Sequence, residues 1–178
     1  LVMYFFAGLG FVVSATFAIA LAVERDFVQE NSLLAWLLFG LVSIPSLFFW
    51  DFIEKKFSMF LALFSAITMH AASLILSAIF KDFAVFFISI LLFGMSNLGI
   101  VSLTMTLAGR LNPANASKEM ARLTFGFALA LIIGPFLTGV LAEYFRSYDI
   151  PILLTGGLMV VGAMLMVVRE YFLKRGKT

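Results

Sequence analysis

Few side chains in this chain are able to do chemistry. His70 is the single histidine and there is no cysteine, which excludes a thiolate nucleophile, a disulfide framework and a zinc site built from paired histidines. At about 100° per helical residue, Ala62, Ala66, His70, Ser73 and Ser77 fall in one narrow stripe. Such a stripe serves either a neutral imidazole satisfied at a helix–helix seam, or a proton relay or substrate ligand. Asn97 shares a face with Gly94, Val101 and Thr104, while Ser102 and Thr106 lie on another. Its amide, which both donates and accepts, either orients a small ligand or clamps a neighbouring helix. A third cluster, Gly126-x3-Ala130-x3-Gly134-Pro135-x2-Thr138-Gly139, makes a packing groove of small residues that ends in a proline. Pro135, and Pro45 between Ser43 and Ser46, each remove one helical hydrogen bond and bend their helices.

The elements that hold these groups follow from composition. The chain has 178 residues, of which 63% are hydrophobic and 12% charged, with 22 Phe against 10 acidic and 12 basic side chains; its mean hydropathy is +1.11. Water-soluble domains carry about a quarter charged residues, so a soluble globule, a disordered chain and a nucleic-acid binder with a basic surface are excluded. A bilayer-crossing helix needs about 20 apolar residues. Six stretches qualify, at about 2–23, 33–50, 57–80, 84–109, 121–142 and 151–168, the second and sixth short. Their apolar residues do not alternate with polar ones, as transmembrane strands would require. The expected fold is therefore an all-α integral membrane protein, a single six-helix transmembrane bundle over residues 1–178.

Short charged connectors separate these spans. The first, third and fifth hold Arg25, Lys81 and Arg146, whereas the second, the fourth and the tail hold Lys55, Lys56, Arg110, Lys118, Arg122, Arg169, Lys174, Arg175 and Lys177. Nine basic residues against three predict that both chain ends are cytoplasmic. The chain opens with Leu1 directly inside a span and without an initiator Met, and is expected to be part of something longer. No Asp, Glu, Lys or Arg lies near the middle of any expected span. Voltage sensing is thereby excluded, and no potassium-filter loop is present.

One enzymatic resemblance is testable on the residues. Gly94-Met95-Ser96-Asn97 resembles the Gly-x-Ser segment on the fourth helix of rhomboid intramembrane proteases, whose general base is a histidine on the sixth helix. The sixth span here, 152–168, has no histidine. A serine hydroxyl needs a base within hydrogen-bond reach, so Ser96 is expected to be a packing hydroxyl and the protein not an enzyme.

A second resemblance covers nearly the whole chain. Pro45-Ser46-Leu47-Phe48-Phe49-Trp50-Asp51-Phe52-Ile53-Glu54-Lys55-Lys56 occupies the place, after the second helix, where a half of a major facilitator superfamily transporter carries an Asp followed by basic residues. The pattern is degenerate: Leu47 replaces the family's first Gly, and a Phe and a Glu interrupt the basic cluster. Gly134-Pro135, with Gly126 and Gly139, resembles the Gly-Pro segment on the fifth helix of such halves. Gly8-Leu9-Gly10-Phe11, Ala15-Thr16-Phe17, Ile44-Pro45-Ser46 and Trp50 are similar to the YbfB/YjiJ-like branch. That branch often has an acidic residue before the first of those glycines, where this chain has Ala7.

The resemblance implies a C-terminal six-helix half of a secondary transporter, moving a small organic solute across the (inner, if bacterial) membrane by alternating access, as symporter or antiporter. The first, second, fourth and fifth helices would line a cavity. Thr16, Ser43, Asn97, Thr104 and Pro135 become its candidate residues, and His70, on the third helix outside it, becomes structural. Asp51, Lys55, Lys56, Gly126, Gly134 and Gly139 become candidates for gating or helix packing. The implied partners are the bilayer, a small-molecule substrate, and an N-terminal half or a second copy, since a site between repeats needs both. No cofactor, metal or nucleic acid is expected. The reading from another class is a non-transporting membrane scaffold or partner subunit, such as a truncated transporter. No threefold or twofold repeat is visible in the residues themselves.

Overall fold

The computed structural model describes residues 1–24 and 32–175; Arg25 and Lys177, both used in the charge count, lie outside them. Six α-helices occur among these residues: α1 (Val2–Glu24), α2 (Ser32–Lys56), α3 (Met59–Ile79), α4 (Phe83–Leu111), α5 (Ala116–Phe145) and α6 (Asp149–Arg175), with one 3-10 turn at Pro113–Asn115. Local chemistry sets several ends. The Ser58 hydroxyl accepts from Leu61 N at 3.1 Å to open α3, and the Asp82 carboxylate accepts from Ala84 N and Val85 N at 2.8 and 3.4 Å to open α4. Arg146 closes α5 in the left-handed region at φ 50°.

Trp36–Lys56, Met59–Ile79, Phe83–Leu111, Pro113–Phe145 and Asp149–Phe172 are long and apolar enough to cross a membrane, and Val2–Phe17 is a shorter apolar stretch. The chain is a multi-pass integral membrane protein. Two expectations need correcting. The second and sixth helices are not short but run 25 and 27 residues, because Asp51–Lys56 and Arg169–Arg175 continue their helices instead of forming a connector and a tail. Charged residues at a helix end meet no hydrocarbon, so nothing there forces the helix to stop where the apolar run does.

Burial is arranged for lipid. Phe48, Ile132 and Phe136 are 76%, 73% and 70% exposed, while His70, Ser46, Ser96, Ala62, Ala66 and Ala130 are wholly enclosed. Large apolar side chains such as these cover the outside, while the polar and small residues sit inside among a core that includes Leu63, Ile67, Ile100 and Met159.

The helices pair in a regular pattern. The most extensive contacts join α1 to α5, α2 to α4, α3 to α6, α3 to α4 and α1 to α6. Exchanging α1, α2 and α3 for α4, α5 and α6 maps this set onto itself, so the packing repeats twofold where the residues showed no repeat. The middle helix of each triplet carries one internal proline, Pro45 in α2 and Pro135 in α5. Close helix contact requires small residues at the seam but not the same residues, which is why the repeat is invisible in the sequence.

Candidate functional site

At the α2–α4 seam the backbones approach closely. A Cβ on Gly94 would lie 2.9 Å from the Phe39 carbonyl oxygen, and one on Gly99 would collide with the Trp50 indole. The indole Nε1 donates to Met95 O at 2.6 Å. Ser43 Oγ is within hydrogen-bond distance of Phe39 O (2.7 Å) and of Gly94 O (3.1 Å), and Ser46 Oγ donates to Ser43 O at 2.6 Å. The hydroxyls flanking Pro45 thus donate to backbone carbonyls of α2 and α4, satisfying their own polar groups inside the seam. Ser43 is therefore a buried seam residue. Trp50→Phe keeps the packing but removes the indole N–H that bonds Met95 O across the seam. It should cost about 1 kcal/mol, visible as a lower unfolding midpoint in detergent and not as misfolding.

The equivalent α1–α5 seam is built the same way. Cβ atoms on Gly8 and Gly134 would lie 2.8 Å from Ala130 Cβ and 2.5 Å from Val12 Cγ1, and Gly126, Ala130, Gly134 and Thr138 are buried in register. Gly126 faces Leu1 at ordinary van der Waals distance, whereas Gly139 faces open space. Gly126 and Gly134 thus sit in the groove, whereas Gly139 lies one position off the Gly134, Thr138, Ala142 stripe and borders a recess with Phe17, Glu143 and Arg146. Thr16 is exposed on α1 and Pro135 half-buried on α5.

Asn97, in the middle of α4, is 7% exposed; no side-chain hydrogen bond is found for it among the described residues. Two turns on, Thr104 is 4% exposed, its Oγ1 without a partner among the described residues, at the wall of a cavity of about 480 Å³ that Leu107, Met166 and Arg169 also line. The structure thus does not gather the five expected cavity residues: Ser43 lies in the α2–α4 seam, Thr104 faces a recess lined from α1, α3, α5 and α6, and Thr16 and Pro135 lie on α1 and α5. His70 is completely buried, its Nε2 3.2 Å from Ser14 Oγ on α1 and its Nδ1 without a partner among the described residues. Ser96 donates to the Leu92 and Phe93 carbonyls of its own helix at 2.8 and 3.1 Å, the behaviour of a packing hydroxyl.

Against known proteins, the family model described as "Uncharacterised MFS-type transporter YbfB" matches residues 1–167. The chain belongs to this family of the major facilitator superfamily. No curated protein matches it. The match embraces both seams, Asn97 and the whole charged cluster at the ends of α2 and α4.

In that cluster, this family member departs from the sequence expectation. Asp51 and Lys55 form an exposed pair within α2 at 2.6 Å, an i, i+4 contact of about 0.3–0.5 kcal/mol. Lys56 lies over the Phe52 and Phe57 rings at 5.3 and 5.6 Å. The residue that crosses between helices is Glu54, whose carboxylate takes both guanidinium nitrogens of Arg110 on α4, at 2.6 and 3.4 Å. Glu54 is 10% exposed along its side chain. Reading the chain as an Asp followed by basic residues treats this Glu as an interruption, yet it ties the ends of α2 and α4 together. Glu54 and Arg110 lie 56 residues apart, so no helical spacing rule could have paired them.

Proposed function

We propose that this chain acts as one six-helix half of a secondary transporter that moves a small organic solute by alternating access. In this reading α1 is the sixth membrane span, both termini are cytoplasmic, and the half pairs with an N-terminal half or with a second copy. α1, α2, α4 and α5 face the central cavity, with Asn97 as the principal ligand-orienting group. Thr16, Ser43, Thr104 and Pro135 are the further cavity residues of this reading, and His70 is structural. The family membership supports the transporter reading.

The observation that carries the site is the Asn97 amide. A clamp between helices would hydrogen-bond its neighbour, and this amide bonds none among the described residues. An amide left free in this way can hydrogen-bond a passing solute, each such bond being worth about 0.5–1.5 kcal/mol. The twofold packing of α1–α3 and α4–α6 supports rocking motion, since each triplet contributes one proline-containing helix. Asp51, Lys55 and Lys56 stand in this reading at the gating end of α2, where the Glu54–Arg110 pair reports whether α2 and α4 are together.

Reconstituted protein should take up one of a panel of radiolabelled small organic acids, amines or sugars, with uptake altered by an imposed pH gradient. Absence of uptake for every solute, under every gradient, would favour a scaffold or partner subunit over a transporter.

A further inference from the structure

Among α1, α3, α4 and α6 lies a cavity of about 30 Å³ whose lining is apolar except for four serines, Ser14, Ser73, Ser77 and Ser89. Three of these hydroxyls have committed their protons: Ser73 donates to His70 O at 2.7 Å, Ser77 to Leu74 O at 2.9 Å and Ser89 to Val85 O at 2.8 Å. A hydroxyl has one proton and two lone pairs, so these oxygens meet the cavity as acceptors. Its occupant must therefore donate. A void lined only by hydrocarbon stays dry, but a polar one of roughly 10–15 Å³ or more admits a water. A cation would also satisfy acceptors, but no acidic side chain lines the cavity, and an uncompensated buried ion is far costlier than a neutral donor.

The fourth serine connects this space to the buried imidazole. Ser14 borders the cavity, and its Oγ lies 3.2 Å from His70 Nε2. Ser77 stands two residues before the end of α3, and Ser89 lies in the second turn of α4, so the hydroxyls extend from the middle of α3 toward the connector between these helices. We propose that this cavity is a water site that hydrates His70 through Ser14, giving the single histidine a hydrogen-bonded path toward the α3–α4 connector. The geometry of the helix junction carries this, and it holds whether or not the protein transports a solute.

Because His70 is the only histidine, 15N labelling of histidine rings gives one assignable pair of signals in protein reconstituted into bilayers. Water-edited magnetisation transfer should reach that ring in the native protein. Ser89→Val, which fills the cavity with methyl groups, should abolish the transfer, whereas Thr68→Val on α3, outside the cavity lining, should leave it intact. If Ser89→Val does not fold, Ser77→Val makes the same test from the opposite wall. No transfer in the native protein, or unchanged transfer in a folded cavity-filled variant, overturns the proposal. Ring signals that move when sodium replaces choline in the buffer would assign the cavity to a cation and overturn it equally.

Discussion

Gly94→Val should prevent α2 and α4 from docking and leave little folded, monodisperse protein. The atom that a Cβ would strike is the Phe39 carbonyl oxygen, 2.9 Å away, with Phe39 Cα at 3.4 Å. Both belong to the backbone of α2 and have no rotamer to escape through. Overpacking a close contact costs about 1–3 kcal/mol even where side chains can adjust, and here the backbones must separate. Separation also stretches the contact from Ser43 Oγ to Gly94 O, now 3.1 Å, and the bond from Trp50 Nε1 to Met95 O. Gly139→Val is the control. Nothing lies within 4 Å of its Cβ position, so its stability should stay within about 0.5 kcal/mol of the native protein. Size-exclusion profiles and thermal unfolding in detergent compare the two. Equal behaviour of both variants would show that the α2–α4 contact is not backbone-to-backbone.

Asn97→Ala should lower solute uptake about tenfold while leaving the folded yield unchanged or slightly raised. The expected loss corresponds to one amide–ligand hydrogen bond, at most about 1.5 kcal/mol. The expected gain in yield arises because alanine is the better helix former, while no hydrogen bond to a described residue is lost. A clamp would behave oppositely, with folded protein and uptake falling together. Measuring the solute concentration for half-maximal uptake alongside the rate at saturation separates binding from movement. A drop in folded protein matching the drop in uptake would return Asn97 to a structural role.

Much of this architecture was legible in the chain. Runs such as Phe83–Leu92 leave helices in lipid as the only spanning structure compatible with non-alternating apolar residues. The short motifs around Gly8, Pro45 and Gly134 sufficed to indicate the family. The small-residue series at Gly126, Ala130 and Gly134 predicted a groove, and those residues are buried in register. The buried series continues through Thr138 and Ala142 at i, i+4, which turns Gly139 about 100° away from it.

What the sequence by itself determined is the solvent, the helical class and which residues are small or polar enough to sit inside, since these depend on composition and on local periodicity. Only the tertiary structure decided which helix each of those residues meets. It paired Glu54 with Arg110 and set Ser14 against His70, and among the described residues it gave Asn97 no hydrogen-bond partner. It also produced a twofold pattern of helix pairs from two dissimilar triplets. Helix packing in lipid selects close backbone approach and satisfied polar groups, and many different residues meet those two demands. Contacts between positions some 50 residues apart therefore leave no periodic trace in the chain that makes them.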